Sequence, residues 1–147
     1  MPDHTSRPVP KPDIYVPTQP FWQGAREGRL MLQYCRDTGR FQHHPRPVSI
    51  HNGRRNIEWR EVSGNGFIYA FTVLRVPGPG IGGRLPLRIA LVELDEKVRI
   101  LGNVFGKEED SPQIGRRVAL AWDHLDGGIP YPAFRLVAEQ EAAGATP

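Results

Sequence analysis

The stretch that decides the fold runs from FIYAFTVLRV (67–76) through LPLRIALVEL (85–94) to VRILGNVF (98–105). All three segments are rich in β-branched and aromatic residues and are bounded by turn formers. Ser63-Gly64-Asn65-Gly66 precedes the first, PGPGIGGR (77–84) follows it, and Asp95-Glu96-Lys97 separates the last two. This pattern predicts strands, the last two joined in a tight hairpin. Working outward, IEWREV (57–62) alternates with Ile57, Trp59 and Glu61 on one side. RRVALAW (116–122) and FRLVAE (134–139) read as later strands and LMLQY (30–34) as an earlier one. No helical period separates the strands of 57–139, which excludes βαβ units and points to a closed or sandwich β architecture. With roughly five strands, a small OB-type barrel fits better than an immunoglobulin-like sandwich.

The N-terminal part follows other rules. Residues 1–17 carry Pro2, Pro8, Pro10, Pro12 and Pro17 and read as an extended arm, with Ile14, Tyr15 and Val16 as apolar handles. TQPFWQGAREGR (18–29) predicts a helix: Thr18 or Gln19 at its start, Pro20 in its first turn, Gly28 at its end. Phe21 and Ala25 share one face with Trp22 beside them. So short a helix is unstable alone, so Phe21 and Trp22 must bury against something, in this chain or another. Residues 35–56 are turn-rich and basic, and 140–147 form a polar, small-residue tail that frays.

Composition narrows the function classes. At 147 residues the chain is one domain, or a domain with an appendage. Its 15 Pro and 16 Gly argue against a helical bundle. Apolar runs fall far short of the ~20 residues of a membrane span, and residues 1–20 lack the apolar region of a secretory leader. A single Cys excludes a disulfide scaffold and suits a reducing cytoplasm. The net charge of +3 comes mostly from Arg, without a block of like charges, so an anionic ligand is allowed and a nucleic-acid tail is absent.

Several patterns only resemble chemistry. Gly78-Pro79-Gly80-Ile81-Gly82-Gly83 matches the dinucleotide fingerprint formally but runs into a β-patterned segment instead of a helix, so it reads as a loop between strands or one reaching a partner's active site. Cys35, His43, His44 and His51 bring metal to mind, yet Cys35 supplies half of a ligand pair, and His43 and His44 point opposite ways on an extended chain. Cys35 and Ser63 lack the setting of a nucleophile, and Glu93 and Asp95 sit at a hairpin end where carboxylates are solvated. Trp59, Phe67, Tyr69 and Phe71 near Arg residues admit base stacking on an OB fold. Equally, Phe67, Tyr69 and Phe71 share one face at period two and fit a barrel core.

The order of these features resembles the DUF35 family, which joins a helical segment, a rubredoxin-like zinc ribbon and an acyl-CoA-associated OB-fold. The resemblance spans about residues 19–137. It rests on the aromatic helix Pro20–Gly28 and on Cys35-Arg36-Asp37-Thr38-Gly39 and Ser49-Ile50-His51-Asn52-Gly53, where the family has two zinc knuckles. Trp59, the turn 63–66 with its aromatic strand, the hairpin 91–97 with Arg99–Asn103, and Ile114-Gly115-Arg116-Arg117-Val118 complete it. Of the four expected ligand positions, Cys35, Thr38, Ser49 and Asn52, one keeps a thiol. The resemblance therefore implies a degenerate ribbon without metal, whose lost binding energy is replaced by packing in the lobe or against a partner.

The implied organisation is an arm at 1–17, a helix and degenerate ribbon lobe at 18–56, an OB barrel at 57–139 and a tail at 140–147. The implied function is that of a non-catalytic accessory subunit of a thiolase-like enzyme (thiolase, lipid-transfer-type aldolase or acyltransferase) acting on acyl-CoA thioesters, with no catalytic residue of its own. Phe21, Trp22 and Ala25 are then expected at the docking surface. Arg75, Arg84 and Arg88, flanking the Gly78–Gly83 loop, are expected to engage CoA phosphates at a site shared with the partner. The alternative is an autonomous OB module for single-stranded nucleic acid or a small ligand.

Overall fold

The computed structural model describes residues 12–76, 78, 82–106, 112–124 and 128–138. The arm before residue 12, most of the glycine-rich loop and the tail 140–147 lie outside them. One α-helix and eight strands are present among the described residues. They are α1 (Gln19–Arg26), β1 (Leu30–Cys35), β2 (Arg40–Gln42), β3 (Ile57–Val62), β4 (Gly66–Leu74), β5 (Leu87–Leu94), β6 (Arg99–Phe105), β7 (Arg117–Asp123) and β8 (Tyr131–Leu136).

Five strands close a barrel in the order β4-β5-β6-β8-β7, with β7 returning to β4 through Gly66↔Val118 and Phe67↔Arg117. Only β6 and β8 run parallel; every other neighbour is antiparallel. This is the five-stranded OB topology. The Asp95–Lys97 hairpin forms as expected, with the Lys97 N–H donating to Leu94 O at 2.9 Å.

The strand at 57–62 does not belong to the barrel. It pairs with β1 along its whole length, from Leu30↔Val62 to Cys35↔Ile57, in a separate three-stranded sheet ordered β2-β1-β3. Alternation identifies a strand but not its partner, so the barrel strands begin at Gly66 instead of 57. The short β2 lies inside the region read as turns.

Nor is the aromatic face of β4 the barrel core. Gly66 and Ile68 lie opposite Leu94 and Val92, and a bulge at Tyr69 then shifts the register so that Ala70 faces Leu91. Ile68 is fully buried, whereas Tyr69 and Phe71 are more than 40% exposed. The Arg99 guanidinium covers the Tyr69 ring at 3.5 Å. The inserted residue splits the aromatic face: Phe67, paired with Glu93, lies on the side opposite Ile68, whereas Phe71 is brought into register with the buried Ala90.

The two sheets share one hydrophobic cluster. Leu30, Leu32 and Val62 of the ribbon sheet join Ile68, Val92, Leu94, Ile100, Val104, Val118 and Phe134 of the barrel, with Phe21 of α1 among them. Gly102 is required beneath β8, because a Cβ there would come 2.7 Å from Pro132 O and 2.9 Å from the Phe134 ring.

Candidate functional site

The helix residues expected at a partner surface are largely used inside this chain. Phe21 and Ala25 are buried, at 6% and 0% exposure. Phe21 packs edge-on against Trp22 at 5.0 Å and lies 5.4 Å from the His43 ring. Trp22 is half-buried and meets Tyr131 of β8 edge-on at 5.5 Å. The chain leaves α1 through Gly28, with the Arg29 N–H donating to Gly24 O and the Trp122 Nε1–H to Gly28 O. An amphipathic helix this short gains its stability from such contacts, so these aromatics clasp the helix to the barrel. Among them a small apolar cavity of about 170 Å³ remains, lined in part by Trp22, Pro45, Leu101 and Pro132.

The knuckle positions do come together. The Gly39 N–H donates to Cys35 O and the Gly53 N–H to Ser49 O, each at 2.8 Å, and both glycines adopt positive φ, +68° and +72°. Only glycine takes that conformation without strain. The Cys35 sulfur is buried and receives hydrogen bonds from the hydroxyl of Ser49 and then of Thr38; these hold the thiol below its ordinary pKa, against burial, which raises it. The fourth position turns away: Asn52 Nδ2 donates to Asp37 at 2.9 Å, and its Oδ1 accepts the Arg54 N–H at 3.0 Å. His51 Nε2 lies 3.0 Å from Phe41 O.

This donor set does not fit zinc. It offers one thiolate, two neutral hydroxyls that serve the sulfur, and an amide already engaged. Among the described residues no three His, Cys, Asp or Glu side chains converge on a metal position. His43 and His44 do not splay apart as on an extended chain; the chain bends after β2 and their rings lie 4.2 Å apart.

Two buried amides that sequence reasoning did not single out organise the lobe. Gln33 and Gln42 are cross-strand partners, 4% and 1% exposed. Gln42 Nε2 donates to Gln33 Oε1 at 2.8 Å, and the pair holds Arg46, Val48 and Ile50 by their backbone.

The three arginines do not form one cluster. Arg75 is exposed just past β4. Arg84 and Arg88 line one groove of about 620 Å³ with Leu85, Leu87, Val104 and Phe105. Arg84 is tied to the carboxylate of Asp123, a residue not picked out from the sequence, which also accepts from Asn103 Nδ2. Gly82–Arg84 form one turn of 3₁₀ helix leading into this contact.

The architecture thus defines a class: a rubredoxin-like ribbon that keeps one of four thiols, packed on an OB barrel through a short aromatic helix. Comparison with known proteins gives the family. Residues 22–48 match the family described as ChsH2, rubredoxin-like zinc ribbon domain, and residues 59–123 that described as ChsH2, C-terminal OB-fold domain. A solved structure titled "Ltp2-ChsH2(DUF35) aldolase" superposes with a TM-score of 0.78 at 30% identity, covering 87% of this chain and all of that one. The chain belongs to the DUF35 family of ChsH2 type.

Among curated relatives, a probable enoyl-CoA hydratase alpha subunit of Thermomonospora curvata is 32% identical over 90% of this chain. The 3-oxo-4,17-pregnadiene-20-carboxyl-CoA hydratase alpha subunit of Mycobacterium tuberculosis is 35% identical over 80%. The chain spans 41% and 36% of these two proteins. A DUF35 domain-containing scaffold protein of Pyrococcus furiosus is 28% identical over 68% of this chain and 74% of its own. Among the described residues, no helix is long and apolar enough to cross a membrane.

Proposed function

We propose that this chain is a non-catalytic accessory subunit of a thiolase-like enzyme that makes or breaks a carbon–carbon bond in an acyl-CoA thioester. Its roles are to stabilise the partner and to form part of the CoA and substrate channel. The observation that carries this reading is the likeness to the DUF35 chain of the Ltp2–ChsH2 aldolase, which this chain covers in full. The scaffold name of the archaeal relative supports the non-catalytic role, and the hydratase relatives support a CoA thioester as the substrate class. One of those relatives is named for a steroid-type acyl-CoA, which supports a steroid-type acyl group here. The thiolase-like character of the partner rests on the family resemblance. In this reading the ribbon lobe works without metal, and the groove of Arg84 and Arg88 carries the CoA phosphates, while the exposed Arg75 is left at its margin.

The test is co-expression with a thiolase-fold protein encoded beside it, followed by light scattering on the eluted species and assay of thioester cleavage. A hetero-oligomer whose activity needs this chain is expected. Proteins that elute apart, with the partner fully active alone, would refute the assignment, as would turnover by this chain by itself. Tight binding of a single-stranded oligonucleotide would favour the autonomous OB module.

A further inference from the structure

The groove of Arg84 and Arg88 has two walls of different origin. One is β6, through Val104, Phe105 and the following Gly106; the other is the connection Arg84–Leu87 with Arg88 of β5. The connecting wall is not held by sheet pairing at Arg84, which precedes β5. It is held by a strap: Arg84 reaches Asp123 at the end of β7, 39 residues away in sequence, and Asn103 of β6 donates to the same carboxylate oxygen. In the closed barrel order β6 and β8 separate β5 from β7 on one side and β4 on the other, so the strap joins elements that do not pair. Ala133 of β8, paired with both Asn103 and Ala121, is fully buried. Asp123 itself is 6% exposed. A carboxylate so buried is tolerated only when paired and hydrogen-bonded, and freeing it from its partner is strongly unfavourable. Arg84 is therefore committed to Asp123.

We propose that Asp123 is the positioning residue of this groove: it fixes the connecting wall through Arg84, so that Arg88 meets an anionic, phosphate-bearing ligand. The proposal rests on the reading of the groove as the CoA phosphate site. It also divides the work of the two arginines, with Arg84 a clasp and Arg88 the ligand contact.

Electrostatics and positioning predict opposite signs for one substitution. Asp123→Asn removes a negative charge beside the groove, so a purely electrostatic role tightens anion binding. A positioning role weakens it, because Arg84 loses its charged acceptor and the wall loosens.

The experiment measures coenzyme A binding to the full chain by calorimetry at low salt, together with hydrogen exchange over residues 82–88. Asp123→Asn and Arg84→Ala should each weaken binding about tenfold, the loss of one charge-assisted hydrogen-bond site. They should not add in the double variant, and both should speed exchange at 82–88 while the rest of the barrel stays protected. Arg88→Ala should weaken binding and flatten its salt dependence with exchange unchanged. Binding by Asp123→Asn as tight as wild type, or tighter, overturns the positioning role and leaves the CoA site standing if Arg88→Ala still weakens it. No coenzyme A binding by the wild-type chain, either alone or in complex with its partner, removes the CoA reading. The exchange data then decide the strap alone, and unchanged exchange in Asp123→Asn overturns it.

Discussion

Gln33 and Gln42 face each other across β1 and β2, and their side-chain amides form one buried hydrogen-bonded pair at 2.8 Å. Each also reaches out to the loop opposite. Gln33 holds the backbone of Arg46 by both its N–H and its C=O, and Gln42 holds Val48 O and the Ile50 N–H. This loop leads into the second knuckle, the segment that a metal would otherwise fix. Gln42→Ala takes the partner from Val48 O and from the Ile50 N–H, both in part-buried contacts, and leaves Gln33 Oε1 with the Arg46 N–H alone. Each orphaned group costs about 1–3 kcal/mol, so the substitution should lower stability by about 3 kcal/mol in chemical denaturation. It should also open the Ile50 amide to exchange. A loss under about 0.5 kcal/mol, the level of an indifferent surface change, would show that the pair does not hold the lobe.

The knuckle backbone persists while the ligands have gone, and this gives a second expectation. Gly39 and Gly53 keep their positive φ and both knuckle hydrogen bonds form, so the two turns are kept while three of the four donors differ. Elemental analysis of the purified wild-type chain should find no stoichiometric zinc. The triple substitution Thr38→Cys, Ser49→Cys, Asn52→Cys adds three thiols to Cys35, four in all, and should take up one zinc per chain, with a rise in Tm that a chelator reverses. Zinc in the wild type, lost on mutating Cys35, would contradict the reading. An empty triple variant would show that the knuckles have drifted out of register.

Much of this molecule was legible because its signals are local. The hairpin at Asp95–Lys97 and the barrel strands each follow from a few neighbouring residues, and the knuckle glycines follow from the family resemblance. What was hidden depends on distant partners. Ile57–Val62 announces a strand, but its pairing with Leu30–Cys35 is a tertiary choice. The bulge at Tyr69 leaves no mark on a period-two pattern, and it takes Phe71 off the face of Phe67 into register with Ala90. A Gln in an alternating strand reads as solvent-facing, which hides Gln33, and Gln42 falls in a stretch that reads as turns. Asp123 is an isolated acid at a strand end, and its role appears only when the fold brings Arg84 to it.

The burial of the aromatic helix changes what its substitution should do. Phe21 sits in the shared cluster between Trp22 and His43. Phe21→Ala should destabilise the isolated chain by about 3–5 kcal/mol, the usual cost of emptying an aromatic core site. Trp22→Ala, which removes a half-buried ring from Tyr131, should cost about half as much. Denaturant unfolding of each variant without any partner measures this. If both variants were as stable as wild type and failed only in complex formation, the anchors would belong to the partner interface after all.

His43 provides the last expectation, because its pH dependence has a definite sign. Its ring is enclosed between Phe21 at 5.4 Å and His44 at 4.2 Å. Burial, and then the neighbouring His44, push its pKa from 6.5 down to about 4. A base that resists protonation in the fold costs nothing while both states are neutral. As pH falls through 6.5 the unfolded chain takes up a proton that the folded chain refuses, and stability drops until the folded state titrates near 4. One pKa unit corresponds to about 1.4 kcal/mol, so the loss reaches about 2 kcal/mol at pH 5 and about 3 kcal/mol below pH 4. The carboxylates of Asp37, Glu58 and Asp95, whose pKa values are lowered by their hydrogen-bond partners, contribute losses of the same sign only at lower pH, as they become protonated. Comparing wild type with His43→Gln between pH 7.5 and 5 therefore isolates the imidazole. The variant's stability should stay nearly flat over that range while the wild type falls. Parallel curves would mean that the ring is protonated in the folded chain and that the junction between ribbon and helix is open to water.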